Sequence, residues 1–319
     1  MRLEHQVLAA LGVDLVLGDP RWLPHPVRLI GRLAARMESP ARRCFPARAA
    51  GIAVALTVIG LTGASTWLLL RGTRTVHPVA EDLVAVLLLW TTLAARDLAG
   101  HAAAVYRALA GADLPTARRS VARMVGRDTE SLDEPGVVRA TVESVAENTV
   151  DGVTAPLFFA CLFGPCAAMV YKAINTLDST FGYKNQRYLQ FGWASARIDD
   201  AANFIPARLT VPIVSVAAAL MRLRPLGAIR VFLRDGHKHP SPNSGLTEAA
   251  VAGALGVQLG GPISYSGQPS LKATLGDSHS PLVRQHILQA INLMLVTSVA
   301  ATALFLGLRW AALGGWRLT

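Results

Sequence analysis

The chain has 319 residues, of which 52% are hydrophobic and only 16% charged, against about 25% charged in ordinary globular chains. With a mean hydropathy of +0.37, so much apolar material excludes a disordered chain, while 27 glycines and three cysteines exclude collagen-like and disulfide-framework classes. The net charge of +10 does not read as nucleic-acid binding, because the basic residues cluster before an apolar run and no aromatic stacking pattern accompanies them.

Residues 1–20 lack the pattern of a cleaved signal, since Glu4 sits in the would-be basic region and Asp14 interrupts the apolar stretch. Between residues 18 and 50, Arg21, Arg28, Arg32, Arg36, Arg42, Arg43 and Arg48 face only Asp19 and Glu38. Positive charge of this kind belongs on the cytoplasmic side of a membrane span. Within this block, residues 27–38 predict an amphipathic helix, with Leu29, Ile30, Leu33 and Met37 on one face and Arg28, Arg32 and Arg36 on another. It lies at the membrane interface or packs on the protein itself.

Two charge-free runs, 49–70 and 287–308, each hold 22 residues, enough to cross the hydrocarbon core as helix. A third, 152–171, is long enough but is interrupted by Pro156, Gly164 and Pro165, so it is expected to be re-entrant or discontinuous. Shorter runs at 83–95 and 209–221 have 13 residues each. The first spans if its polar flanks are included, whereas the second, containing Pro212, is expected not to cross simply. The Gly-rich stretch 249–271 predicts a small-residue helix running into a loop. The fold class is thus all-α, a polytopic integral membrane protein forming a single domain over 1–319, with polar helical and loop segments at the membrane face.

Chemistry must lie in the polar segments 96–151, 172–208 and 222–286. Asp113 is placed to cap a helix near Pro115, and Asp133 or Glu134 to cap a second helix running to Asp151. On the second helix Val138, Val142, Val145 and Thr149 form the packed face, while Glu143, Glu147 and Asp151 repeat every four residues. Three carboxylates in one stripe repel, so either a divalent cation such as Mg²⁺ draws on them or Arg139, one turn before Glu143, pairs with it. In 172–208, Lys172, Asn175, Asp178, Lys184, Arg197, Asp199, Asp200 and Asn203 supply cations and amides suited to phosphates and acids suited to a metal or amine. In 222–286, His239 and Asn243 sit in a Pro-fixed loop. The glycines of 253–261 lack a P-loop ending and suit close helix packing.

The ordered set of motifs resembles the CbiB/CobD family of cobalamin biosynthesis, the membrane-bound adenosylcobinamide-phosphate (cobinamide) synthases. The carrying stretches are Asp14-x-x-x-Gly18-Asp19-Pro20 with Leu23-Pro24-His25-Pro26, Gly126-Arg127-Asp128-Thr129, Ala140 through Asn148, and Asp151-Gly152. They continue through Tyr171 to Ser179, Ser195 to Asp200, His239 to Asn243, and Gly253 to Gly256.

The resemblance implies ATP-dependent amide formation between adenosylcobyric acid and (R)-1-amino-2-propanol or its O-phosphate. It also implies Mg²⁺, a bacterial cytoplasmic membrane with the site facing the cytoplasm, and a setting among other late cobalamin-assembly enzymes. Allocated within the motifs, Glu143, Glu147 and Asp178 would serve Mg²⁺, and Lys172 and Arg197 phosphate. Asp151, Asp199 and Asp200 would orient the amine or a second cation, and His239 and Asn243 the corrin periphery. Glu147, Lys172 and Asp151 are the catalytic candidates, with Asp128, Asn175, Lys184 and Asn203 completing the substrate contacts. A membrane transferase of the prenyl-diphosphate or CDP-alcohol type is the alternative, though Asp151-Gly152 lacks the partner Asp three residues before it. A transporter ranks third, because the two firm spans carry no charged residue.

Overall fold

Helix formation follows the apolar runs and their punctuation. The computed structural model describes residues 1–20, 25–183, 185–265 and 267–313. Its helices are α1 (Leu3–Leu17), α2 (Pro26–Cys44), α3 (Ala47–Val76), α4 (Pro78–Trp90), α5 (Ala95–Ala110), α6 (Leu114–Val121) and α7 (Glu134–Thr149). They continue as α8 (Ala155–Phe163), α9 (Pro165–Phe181), α10 (Trp193–Leu220), α11 (Pro225–Asp235), α12 (Ser244–Leu255) and α13 (Gln285–Ala312). Proline opens several of these at the first turn, where its missing N–H costs nothing.

Among the described residues, four stretches are long and apolar enough to cross a membrane: Ala47–Val76, Pro78–Ala110, Trp193–Leu220 and Gln285–Ala312. They contain the predicted runs 49–70, 83–95 and 287–308 and all but the last residue of 209–221. The second turns at 91–94 between α4 and α5. The run 209–221, expected not to cross simply, falls at the end of α10, a helix of 28 residues that includes Pro206 and Pro212 and is long enough to cross. The run 152–171 is discontinuous as expected. A π-helical turn, Val150–Thr154, precedes α8, and Gly164 at φ 86° separates α8 from α9. An L side chain is disfavoured at that φ, and Pro165 then starts the next helix.

Contacts divide the chain into two units. One comprises Met1–Ala94, Ala155–Asn203 and Thr302–Thr319. In it, α2, α3 and α9 pack together around Ala34, Val54, Val58, Ala173, Leu177 and Phe181. Helix α2 therefore takes the second predicted role, packing on the protein: Ile30 is buried, while Leu29 stays exposed.

The other unit comprises Ala95–Thr154 and Phe204–Ala301. Helix α7 packs on α5, α6 and α12, and α11 packs on α12. The caps fall where expected: Asp113 accepts from the Thr116 N–H and Asp133 from the Gly136 N–H. The predicted loop after α12 is instead an antiparallel hairpin, β1 (Leu259–Tyr265) and β2 (Gln268–Leu275). Its sequence lacks clean alternation because the hairpin is pinned mainly by polar contacts to neighbouring segments rather than by one apolar face.

Candidate active site

The acidic stripe of α7 resolves into carboxylates of different kinds. Glu143 is buried and accepts from Arg127 Nη2 at 2.7 Å and from the Gly260 N–H at 2.6 Å. Lys272 Nζ lies 3.7 Å away. The cation that neutralises Glu143 is thus Arg127, not Arg139 as spacing suggested. Arg139 donates to the Pro262 carbonyl at 3.2 Å.

Glu147, one turn on, is half-buried and has no hydrogen bond or ion pair among the described residues. It lines a cavity of about 130 Å³ with Gly126, Arg127, Glu143, Ser144, Tyr265 and Lys272. Asp151 falls within the π turn, where the four-residue spacing of the stripe is interrupted.

Across the cavity, Lys272 donates to Glu248 at 2.9 Å. Glu248 is fully buried. Burial pushes its carboxyl up to about 8, with Lys272 opposing and Glu147 and Glu143 adding their like charge. Burial also works against the Lys272 ammonium, but Glu248 and Glu143 outweigh it and hold its pKa above the ordinary value. An unpaired ammonium at this depth would shed its proton; this one is held by its hydrogen bond to Glu248 and the nearby Glu143 charge.

Asp128 fastens the loop after α6 to the hairpin, accepting from Ser264 Oγ at 2.6 Å and the Gly267 N–H at 2.8 Å. His239 Nδ1 accepts from the Ser241 N–H at 3.0 Å. Burial first, and then the Lys272 charge, depress its pKa, while Glu147 acts in the opposite sense. A neutral His239 therefore carries its proton on Nε2 and presents a donor. Asn243 Oδ1 receives Arg208 Nη1 at 3.3 Å.

The remaining candidates belong to the other unit. Asn203 lies one turn after Asp199 on α10, donates to it at 3.0 Å and accepts from Tyr171 Oη at 2.9 Å. The other oxygen of Asp199, Oδ1, is buried without a hydrogen-bond partner. Asp178 and Asp200 are the like charges that act on Asp199. Lys172 Nζ reaches Asn175 Oδ1 at 3.4 Å, and Arg197 lies 3.8 Å from Asp200. These residues form one polar cluster on α9 and α10. Lys184 lies outside the described residues.

Mg²⁺ requires open carboxylate or carbonyl oxygens. Glu143 does not fit, since a guanidinium, a backbone amide and an ammonium already crowd its oxygens. Among the described residues no group of three or more His, Cys, Asp or Glu is disposed to hold a metal ion.

Sequence reasoning missed Arg127, Glu248 and Lys272 as members of the site. A signal was present: Glu248 and Lys272 are the only charged residues between 244 and 276. Two isolated opposite charges in an apolar stretch are candidates to pair with each other when buried.

Comparison with known proteins adds relatives along almost the whole chain. The family model described as CobD/Cbib protein matches residues 7–294. The cobalamin biosynthesis protein CobD of Geobacter metallireducens is 54% identical over 277 residues, 86% of this chain and 87% of the relative. CobD of Klebsiella pneumoniae is 47% identical, covering 95% of this chain and 96% of its own. CbiB of Salmonella typhi is 44% identical, covering 93% and 94%. No solved structure matches.

Proposed function

The chain belongs to the CobD/CbiB family of cobalamin biosynthesis, and from that premise we propose that it forms an amide bond at the cytoplasmic face of the bacterial inner membrane. The acid is adenosylcobyric acid, and the amine is (R)-1-amino-2-propanol or its O-phosphate. ATP supplies the activation, because a free carboxylate is a poor acyl donor. Transfer of the γ-phosphoryl group to the propionate oxygen gives an acyl phosphate and ADP. The amine nitrogen then attacks the carbonyl carbon, the C–O bond to phosphate breaks, and inorganic phosphate leaves.

The observation that carries this reading is the carboxylate of Glu147, which lines a small charged cavity with no hydrogen bond or ion pair among the described residues. The cavity's volume of about 130 Å³ suits a small amine and is too small for a nucleotide or a corrinoid. Glu147 holds the ammonium form and takes the proton the nitrogen loses as the amide forms. The Lys272 ammonium, in the lining of the same cavity, supplies a donor. In the other unit, taken by itself, Lys172 and Arg197 are the cations suited to phosphoryl oxygens. The divalent cation enters with the nucleotide phosphates, not on Glu143, whose oxygens are already occupied.

The test is purified protein in nanodiscs with ATP, Mg²⁺, adenosylcobyric acid and the amine, read by mass spectrometry. Amide product should form with phosphate released in equal amount. Product formation from the free acid without any nucleotide would overturn the proposal.

A further inference from the structure

Where α10 ends, the chain carries a second charged cavity unrelated to the acidic stripe. Leu220 is followed by Arg222, Arg224 and, one helix later, Arg230. None of these three arginines has a hydrogen bond or ion pair through its side chain among the described residues. Arg224 and Arg230 line a cavity of about 210 Å³ formed where the start of α11 meets the end of α12. Gly227 and Gly253 make this possible, because a Cβ on either would overlap the other's carbonyl.

Arg224 is also the N-cap of α11, and its side chain caps no amide. The amides of Leu226 and Gly227 thus lack a side-chain cap, and both residues line the cavity with Arg224 and Arg230, so the partial positive charge of the helix start adds to theirs. Asp277 lies in the same wall, but Arg234 holds both its oxygens, at 2.9 and 3.0 Å. The cavity is left with an excess of positive charge.

The apolar surroundings identify the kind of anion. Leu220, Leu226 and Leu233 are 70%, 76% and 68% exposed. Leu226, Arg230 and Leu233 follow at four- and three-residue spacing, so they share one face of α11. An exposed face of two leucines around an arginine, directly after a helix long enough to cross a membrane, matches a helix seated at the headgroup level.

We propose that this cavity binds the phosphate of an anionic membrane phospholipid, with Arg224, Arg230 and the α11 amides as its ligands and the leucines against the acyl chains. The site is separate from the proposed amide-forming residues, and it does not depend on that reaction. It anchors α11 in the plane of the membrane.

The test uses the full-length protein in nanodiscs of phosphatidylcholine with phosphatidylglycerol, followed by native mass spectrometry of retained lipid. Wild type should keep phosphatidylglycerol. Each of R224Q and R230Q should weaken retention about fivefold, and the pair at least tenfold. R107Q/R119Q, which removes two exposed arginines of the same unit, should leave retention unchanged. L226S/L233S should weaken it at least ~3-fold, because a lipid uses the apolar face. Two results would overturn the proposal. One is wild-type retention in the R224Q/R230Q protein. The other is displacement of the lipid by millimolar inorganic phosphate with no effect of L226S/L233S, which would make this a site for free phosphate.

Discussion

Replacing Glu143 with Gln separates a structural strut from a ligand-binding carboxylate. Its side chain is 4% exposed and its partner Arg127 is 6% exposed. The substitution keeps the shape but removes the charge, and one amide oxygen can serve either the Gly260 N–H or Arg127, not both as a carboxylate does. A guanidinium would be left buried without its counter-charge, with Arg127 Nε already lacking a hydrogen-bond partner. Breaking a buried pair in this way costs about 3–5 kcal/mol. For a domain of this size that corresponds to a fall in melting temperature of at least ~6 °C. The assay is thermal unfolding of purified protein in detergent, followed by circular dichroism and by loss of monodispersity. Arg127→Met/Glu143→Met, which removes both charges, should recover much of the loss. A Glu143→Gln protein that melts like wild type but has lost activity would refute the strut and return Glu143 to the substrate or metal.

Glu147→Gln should show the reverse pattern, with stability within about 1 kcal/mol of wild type and at least tenfold lower amide formation in the mass-spectrometric assay. Arg139→Gln, which loses only a 3.2 Å bond to a carbonyl, should change activity less than Glu147→Gln does. Glu248 binds its proton more tightly folded, at about 8, than its ordinary 4.5, so the folded state holds the extra proton and stability should fall as pH rises from about 4.5 to about 8. In denaturation followed across that range, Glu248→Gln should flatten the slope. Gly227→Ala would drive a Cβ into the Gly253 carbonyl and should cost about 1–3 kcal/mol, read as a lower melting temperature.

The membrane helices were legible because charge-free runs of sufficient length have one main use, and α3 and α13 contain the two predicted ones. The break at Gly164-Pro165 was legible for a local reason: proline cannot continue a helix and glycine accepts the positive φ. The caps at Asp113 and Asp133 were equally local. The partner of Glu143 was not legible. Spacing favours Arg139 on the same helix, but Arg127 approaches from the preceding loop, and no periodicity encodes that approach. The hairpin escaped for a related reason. Pro262, Pro269 and five glycines between 253 and 267 read as loop, while its strands are set by contacts with Asp128, Arg139 and Glu143, more than 100 residues earlier in sequence.

That hairpin also sets an order of assembly. Two strands alone are marginal in water, and besides the Lys272–Glu248 bond this pair is anchored by side chains that precede it by 117 to 139 residues. During synthesis, α7 emerges with Glu143 facing Arg127, but Lys272 and the Gly260 amide arrive only after the intervening helices have been made and inserted. Closing so long a loop carries an entropic cost that must be met before these anchors form. The cavity beside Glu147 is therefore among the last parts of its unit to form, and a nascent chain stopped before β2 would carry α7 with its acidic stripe exposed and one of its two cations missing.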